Sequence, residues 1–268
     1  MFKEWGEYGD AFAEDVPYEE VLPEYTKENW EIGFGLQAVD GLKPSKYLVE
    51  LANKQVAGEI SYERLEADLK EYHNSNTDPR ISAEADFSSM RIAEILATNN
   101  FILKPHILLQ YHKHLFSDIR EWHFPVGQYR RENISKAERV LNGETVVYKD
   151  YRQIAETLEY DFEQERLKRY KGLDDADTAH SAMQFISNVW EVHAFREGNT
   201  RTIAVLAIQH FRQLGFSINN EPFKEHAKYF RDALALANAP RKWQTDKYLR
   251  MFTENIVLGG KNELVIPK

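Results

Sequence analysis

The chain has 268 residues, of which 43% are hydrophobic and 13% aromatic, and its formal net charge is −9. This size supports a large core in one or two domains, whereas the negative charge argues against general nucleic-acid binding because most of the surface would repel phosphate. The absence of cysteine excludes disulfides and thiolate–zinc sites. Because we find no signal-peptide pattern and no long apolar run, we expect no membrane partner and predict a cytoplasmic protein.

The N-terminal third begins with an acidic, aromatic stretch and continues with a helical pattern. We predict an irregular arm over residues 1–29 and a pair of helices over 45–73. Gly58 is expected to end the first helix of the pair, and Ser61 is the predicted N-cap of the second. A polar linker over 73–80 follows.

The rest of the chain is predicted to be helical, with one interruption. The Asn142-Gly143 pair lies between β-forming residues, which is a strong signal for a β-hairpin, here over 138–148. We therefore predict an all-α domain with one small β-hairpin. The predicted helices after it cover residues 151–169, 177–192, 200–214, 222–238 and 242–258.

The stretch HAFREGNTRT (residues 193–202) joins two of these helices and is suited to binding anions. The second helix is expected to begin at Asn199 or Thr200 as N-cap, so its unpaired first-turn N–H groups face the loop. Gly198 allows a ligand to approach the backbone closely, and Arg201 adds a fork of donors that suits phosphate oxygens.

Glu197 and His193 are the candidate chemical groups of this stretch. Glu197 would repel a phosphate unless a cation such as Mg²⁺ bridges them, and a neutral His193 could take a proton from a hydroxyl nucleophile. Each residue alone is more often a capping, packing or surface residue. Together they supply a base, a metal carboxylate and an anion site, which phosphate-ester chemistry requires.

HAFREGNTRT resembles the signature of the Fic family, His-x-Phe-x-(Asp/Glu)-Gly-Asn-Gly-Arg-x-x-Arg. GQYRRENI (127–134), together with the predicted hairpin, resembles the Fic segment that carries the flap. YFRDALALAN (229–238) resembles the helix that closes the adenine side of the Fic pocket. The similarity extends over roughly residues 85–258, so the chain is identified as a member of the Fic family.

The resemblance implies a Fic-type helical core domain over residues 80–268, preceded by an N-terminal arm and helical accessory region over 1–79. The accessory helices have two open interpretations, a regulatory region or an added layer of core packing. The implied activity is that of a protein adenylyltransferase (AMPylator), which transfers AMP from MgATP to a hydroxyl side chain of a target protein or of itself. Mg²⁺ is then the cofactor and ATP the co-substrate.

The family signature also implies residue roles. His193 is the base that deprotonates a target Tyr, Ser or Thr, Glu197 binds Mg²⁺, and Phe195 supports the loop. The implied nucleotide-binding residues are Gly198, Asn199, Thr200 and Arg201, with Tyr229 and Asn238 on the nucleoside side. The flap is expected to dock the target by β-strand addition through Val140, Leu141, Asn142, Gly143, Val146 and Val147.

Two positions depart from the signature. Thr200 replaces its second glycine, which is unfavourable if that position needs a positive φ but favourable if it starts the helix, where the hydroxyl is also a phosphate donor; we favour the second interpretation. Ala204 replaces the last arginine, which in Fic proteins grips the γ-phosphate and pairs with the glutamate of an inhibitory helix. That helix's motif, Ser/Thr-x-x-x-Glu-(Gly/Asn), is also absent from the sequence.

Three explanations of Ala204 remain open. The protein is an active transferase that a separate inhibitory partner chain or self-association controls, it uses another nucleotide or phosphate donor, or it is a nucleotide-binding regulatory module without catalysis. Three cations are candidates to replace the lost charge, and the sequence does not distinguish among Lys136, Arg196 and Arg212.

Overall fold

The computed structural model describes residues 23–76, 78, 80–98 and 101–267, and α-helices dominate this part of the chain. Short 3₁₀ turns connect some of the helices, at Gln37–Asp40, Arg139–Leu141 and Tyr151–Gln153. The predicted all-α class is therefore confirmed. The helices are α1 (Pro23–Leu36), α2 (Lys46–Val56), α3 (Tyr62–Ser75), α4 (Ala83–Leu96), α5 (His106–Phe116), α6 (Ile154–Leu167), α7 (Asp175–Val192), α8 (Asn199–Gln213), α9 (Glu221–Ala237) and α10 (Lys247–Val257).

The predicted helical pair is present as α2 and α3, and its boundary signals act as expected. Ser45 Oγ accepts the N–H of Leu48 at 3.1 Å, and Ser61 Oγ accepts the N–H of Arg64 at 3.2 Å, so each serine caps its helix. Gly58 follows the end of α2 with a φ of +72°, a conformation that favours glycine.

The predicted irregular arm is wrong in its last residues, because α1 begins at Pro23. Proline suits the first position of a helix, where its missing N–H has no partner to lose. Further along α1, Trp30 is buried and its indole N–H donates to Gln55 Oε1 at 2.8 Å, while α1 packs against α4 and α9. Residues 1–22 of the predicted arm lie outside the described residues.

The predicted β-hairpin is not formed as strands, although its turn is correct. Asn142 and Gly143 have φ values of +53° and +87°, and the N–H of Glu138 donates to the carbonyl of Glu144 at 2.9 Å. Before the turn the chain winds into the 3₁₀ segment Arg139–Leu141, whose Leu141 is fully buried. The residues before the turn therefore form a 3₁₀ segment with a buried leucine instead of an extended strand.

Beyond that closing pair the ladder does not continue. The N–H of Lys136 donates to the side-chain hydroxyl of Thr145 at 3.2 Å instead of to a main-chain carbonyl. A side-chain acceptor breaks the alternation of main-chain bonds that defines paired strands. Within the described ranges the chain accordingly has no β-strand.

Helix α8 lies at the centre of the fold and carries the second half of the HAFREGNTRT stretch. All its residues from Asn199 to Phe211 are buried, and α4, α5 and α7 pack against it. A helix buried on every side has little freedom to shift, so the loop before it is held rigidly. None of the helices in the described ranges combines the length and apolar character needed to cross a bilayer.

Candidate active site

The loop between α7 and α8 is bounded by two residues with left-handed backbone conformations. His193 is the C-cap of α7 with a φ of +50°, and Gly198 is the N-cap of α8 with a φ of +80°. The prediction of Asn199 or Thr200 as N-cap is therefore wrong by one or two residues. The Asn199 side chain closes the loop instead, since its Oδ1 accepts the N–H of Phe195 at 2.9 Å and its Nδ2 donates to the Phe195 carbonyl at 2.8 Å.

Thr200 lies in the first turn of α8 with an ordinary helical backbone, so the interpretation that this position needs no positive φ is confirmed. Its hydroxyl oxygen accepts the indole N–H of Trp190 at 3.0 Å, which ties α8 to α7. The hydroxyl proton is not used in that bond and can be donated to a ligand.

A neutral histidine, His112, packs against the loop between α7 and α8. His112 Nε2 donates to the carbonyl of Glu197 at 3.0 Å, while its Nδ1 accepts the N–H of Gly127 at 3.0 Å. The imidazole stacks on Phe195 at 3.9 Å between ring centroids. Burial lowers the pKa of His112 to about 4, so it keeps its neutral form and its two hydrogen bonds.

Gly198 is needed for space as well as for its backbone conformation. A Cβ atom there would lie 2.4 Å from Phe116 Cε2, far inside van der Waals contact. The close approach of the Phe116 and Trp122 rings to the loop is therefore possible only with glycine at this position.

Arg130 holds the start of the loop, at His193 and Ala194. This role was not predicted from the sequence. Arg130 Nε donates to the carbonyl of His193 at 2.8 Å, and its main-chain N–H donates to the carbonyl of Ala194 at 2.9 Å. The buried guanidinium thus satisfies carbonyls at the C-terminus of α7, where a positive charge is favoured. The only sequence signal was the GQYRRENI segment, which contains this arginine.

A cavity of about 270 Å³ opens beside the loop. It brings together five of the predicted site residues, including the carboxylate Glu197, with three residues from other segments. The lining residues are His193, Glu197, Gly198, Asn199, Thr200, Asp40, Lys136 and Arg231. The sequence offered Lys136 as one of several candidate cations, and it gave no signal for Asp40 or Arg231.

His193 is 4% exposed and packs against Tyr148 and Trp190, at 4.1 Å and 5.3 Å between ring centroids. Neither of its ring nitrogens has a hydrogen-bond partner among the described residues. Burial, and then the positive charge of Lys136, lower the pKa of His193 well below its usual value. The imidazole is therefore neutral at pH 7 and has a lone pair available to accept a proton.

Glu197 lines the same cavity and already interacts with a cation. Lys136 Nζ donates to Glu197 Oε2 at 2.9 Å. Among the described residues no group of three or more metal-ligating side chains is placed to hold an ion. Glu197 as a carboxylate ligand fits Mg²⁺ that arrives with phosphate oxygens as its other ligands, rather than a metal held by protein ligands alone.

Arg231, from α9, forms the second ion pair at the cavity. Its Nη2 lies 2.9 Å from Glu138 Oε2, and Tyr148 also donates to Glu138, which is only 2% exposed. This network connects α9 to the segment that precedes the Asn142-Gly143 turn.

Arg201 does not line the cavity. It is 2% exposed, and its Nη2 lies 2.5 Å from Glu84 Oε1 and 2.9 Å from Asp40 Oδ2. Its Nη1 donates to Gln37 Oε1 at 3.1 Å and to Ser88 Oγ at 3.3 Å. The guanidinium also lies over aromatic rings, 4.7 Å from the centroid of Phe116 and 5.9 Å from that of Trp122.

The two residues assigned to the nucleoside side are also outside the cavity lining. The Tyr229 hydroxyl donates to the Tyr248 carbonyl at 3.0 Å, and Asn238 Nδ2 donates to Ser187 Oγ at 2.8 Å. Of the flap residues, Leu141 and Val146 are buried, whereas Val147 is 73% exposed. The nucleoside and flap assignments stay predictions.

The structure thus brings a neutral histidine, a carboxylate and a helix N-terminus together at one cavity of a helical fold. Residues 102–211 match the model of the Fic/DOC family. The chain is therefore similar to the Fic/DOC family over this region, which is less than half of its length. No curated protein matches it.

Proposed function

We propose that the protein transfers AMP from MgATP to a hydroxyl side chain of a target protein, or of itself. The observation that carries this proposal is His193, a buried and neutral imidazole to which no described residue offers a hydrogen bond, in a cavity shared with Glu197 and the first turn of α8. A buried polar group without a partner is costly, so its retention at a cavity favours a catalytic role.

In the proposed reaction a ring nitrogen of His193 takes the proton of the target hydroxyl as the oxygen attacks the α-phosphorus. The new oxygen–phosphorus bond forms while the bond from the α-phosphorus to the bridging oxygen of the β-phosphate breaks, and pyrophosphate leaves. The low pKa of His193 keeps the base in its reactive form at neutral pH. Bound Mg²⁺ would neutralise phosphate charge, with Glu197 as its protein ligand.

The exposed segment after the Asn142-Gly143 turn supports a docking role for the flap. Val147 is 73% exposed beside the buried Val146, so the segment has one face on the core and one open to solvent. A target strand that pairs with this segment would bring its hydroxyl to the cavity with little dependence on target sequence.

The test is labelling with α-³²P-ATP and, separately, γ-³²P-ATP in the presence of Mg²⁺, with wild type and His193→Asn. We expect label from the α position on the protein or on added cell protein, and its loss in the variant. His114→Asn is the matched control, since His114 is exposed and pairs with Glu94 away from the cavity. Label from the γ position alone would replace AMP transfer by phosphotransfer, and no label from either nucleotide would favour a binding module.

A further inference from the structure

We infer that Lys136 and Arg231, and not the signature arginine Arg201, bind the terminal phosphates of the donor. This inference rests on the proposed function, because it assigns the phosphate contacts of the same cavity. It also accounts for how a site with Ala204 in place of an arginine can hold a polyphosphate.

Arg201 is already engaged. Four acceptors, from Gln37, Asp40, Glu84 and Ser88, surround its two terminal nitrogens, and Phe116 covers its face. To reach a phosphate, the side chain would have to leave two carboxylates behind, one of which, Glu84, is only 19% exposed. Separating a buried ion pair is costly, so Arg201 acts as a positioning residue that joins α8 to α4 and the Gln37–Asp40 turn.

The other candidate cations lie elsewhere. Ala204 is fully buried in α8 and contributes no charge. The Arg212 guanidinium donates to the carbonyl of Leu96 and to Asn29, and Arg196 pairs with Glu132 at an exposed position. Neither arginine lines the cavity.

Lys136 and Arg231 do line the cavity, together with His193 and the first turn of α8. Each is held by one carboxylate at 2.9 Å, Lys136 by Glu197 and Arg231 by Glu138. These pairs keep two cations beside the place where a helix N-terminus attracts anions. A polyphosphate can take over their donors, and release of Lys136 frees Glu197 for Mg²⁺.

The charges that line the cavity are consistent with a polyphosphate replacing the carboxylate partners of Lys136 and Arg231. The cavity has two cations, Lys136 and Arg231, and two carboxylates, Asp40 and Glu197. An anion therefore needs a further positive charge to bind well, and Mg²⁺ supplies it. We accordingly expect Mg²⁺ to strengthen polyphosphate binding while leaving the contacts of Lys136 and Arg231 in place.

The test measures dissociation constants of inorganic tripolyphosphate, ATP and AMP by calorimetry, in Mg²⁺ and in EDTA. We expect Lys136→Met to weaken tripolyphosphate and ATP about ten- to a hundred-fold, because one charge-assisted contact is lost, and AMP less than about three-fold. Arg231→Gln is made together with Glu138→Gln, so that no buried carboxylate is left unpaired, and should show the same pattern. Arg152→Gln is the matched control, because Arg152 forms an exposed ion pair with Asp150 and is not a cavity residue.

Arg201→Lys keeps a charge beside Asp40 and Glu84. A variant that is folded, as judged by a cooperative thermal unfolding transition, should retain tripolyphosphate affinity within about three-fold. Wild-type affinity for tripolyphosphate in both the Lys136 and the Arg231 variants, or no binding to wild type at all, would overturn the inference. Tripolyphosphate binding that depends on Lys136 and Arg231, without any transfer of α-label, would leave the inference standing and remove the proposed function.

Discussion

His193 and Arg201 lie at the two ends of the same short motif, and both are almost completely buried, at 4% and 2% exposure. They differ in their polar partners. Neither ring nitrogen of His193 has a hydrogen-bond partner among the described residues, whereas four side chains accept the terminal N–H groups of Arg201. The same degree of burial therefore accompanies two different roles.

This contrast separates residues that react with or bind a ligand from residues that hold the fold within one short motif. The terminal nitrogens of Arg201 are already engaged, so they contribute to holding the fold, and only its Nε has no partner among the described residues. An unpaired buried group costs stability and is retained where it reacts or binds. Variants at the two positions should accordingly affect different measurements.

His193→Asn should change activity far more than stability. Asparagine tolerates the left-handed backbone at this position, so the loop should keep its conformation. We expect transfer of α-label to fall about 10²- to 10⁴-fold, as for the loss of a general base, while unfolding free energy changes by only about 1 kcal/mol from lost ring contacts. A comparable loss of stability and activity would show that His193 is mainly structural.

Arg201→Met should have the opposite pattern. The change leaves Asp40 and Glu84 without their cation, and we expect the free energy of unfolding to fall by about 3 kcal/mol. That figure lies at the lower end for a broken buried pair, because Asp40 is 37% exposed and Glu84 19%. Denaturant titration measures it.

A double-mutant cycle checks the Arg201 prediction. Combining Arg201→Met with Glu84→Gln should recover part of the lost stability, since one unpaired carboxylate is removed. Strict additivity of the two changes would contradict the assigned ion pair, even if each variant alone is destabilised.

Most of the fold was predictable from the sequence, because it depends on local signals. Ser61 and Gly58, the predicted boundaries of the helical pair, mark helix ends through contacts within four residues, and the structure follows them. The prediction of a β-hairpin was wrong for the residues before the turn. Leu141 is fully buried, and the 3₁₀ segment that carries it replaces the strand that the flanking β-formers suggested.

The site was predictable only where its residues are neighbours in sequence. His193, Glu197 and Gly198 follow from the motif and share one cavity. Arg130, His112 and Arg231 act through contacts with residues 63 to 93 positions away, which no local pattern encodes. For the same reason the four partners that engage Arg201 were not foreseen.

The contact of His112 with the loop between α7 and α8 should make the stability of the protein depend on pH. The pKa of His112 falls from 6.5 in the unfolded chain to about 4 in the folded protein, so the unfolded state binds more protons between these values. Stability should therefore decrease as the pH is lowered from 6.5 to 4, by about 2 to 3 kcal/mol from this residue. Denaturant titrations at pH 7 and pH 4 measure the decrease.

His112→Gln isolates this contribution, because its amide can still donate to the carbonyl of Glu197 but does not titrate. The difference in stability between pH 7 and pH 4 should shrink in the variant by the same amount. An unchanged difference would mean that other groups, such as His193, cause the acid sensitivity.

The smallest expected effect comes from Thr200→Val, which removes the acceptor of the Trp190 indole N–H while keeping the side-chain volume. Leaving that buried donor unpaired should cost about 1 to 2 kcal/mol of unfolding free energy. Tripolyphosphate affinity is the sharper measurement, because Thr200 is one of the residues that line the cavity. If the hydroxyl donates to phosphate, tripolyphosphate affinity should drop along with stability, whereas a loss of stability alone would place Thr200 with Arg201 among the residues that only hold the site together.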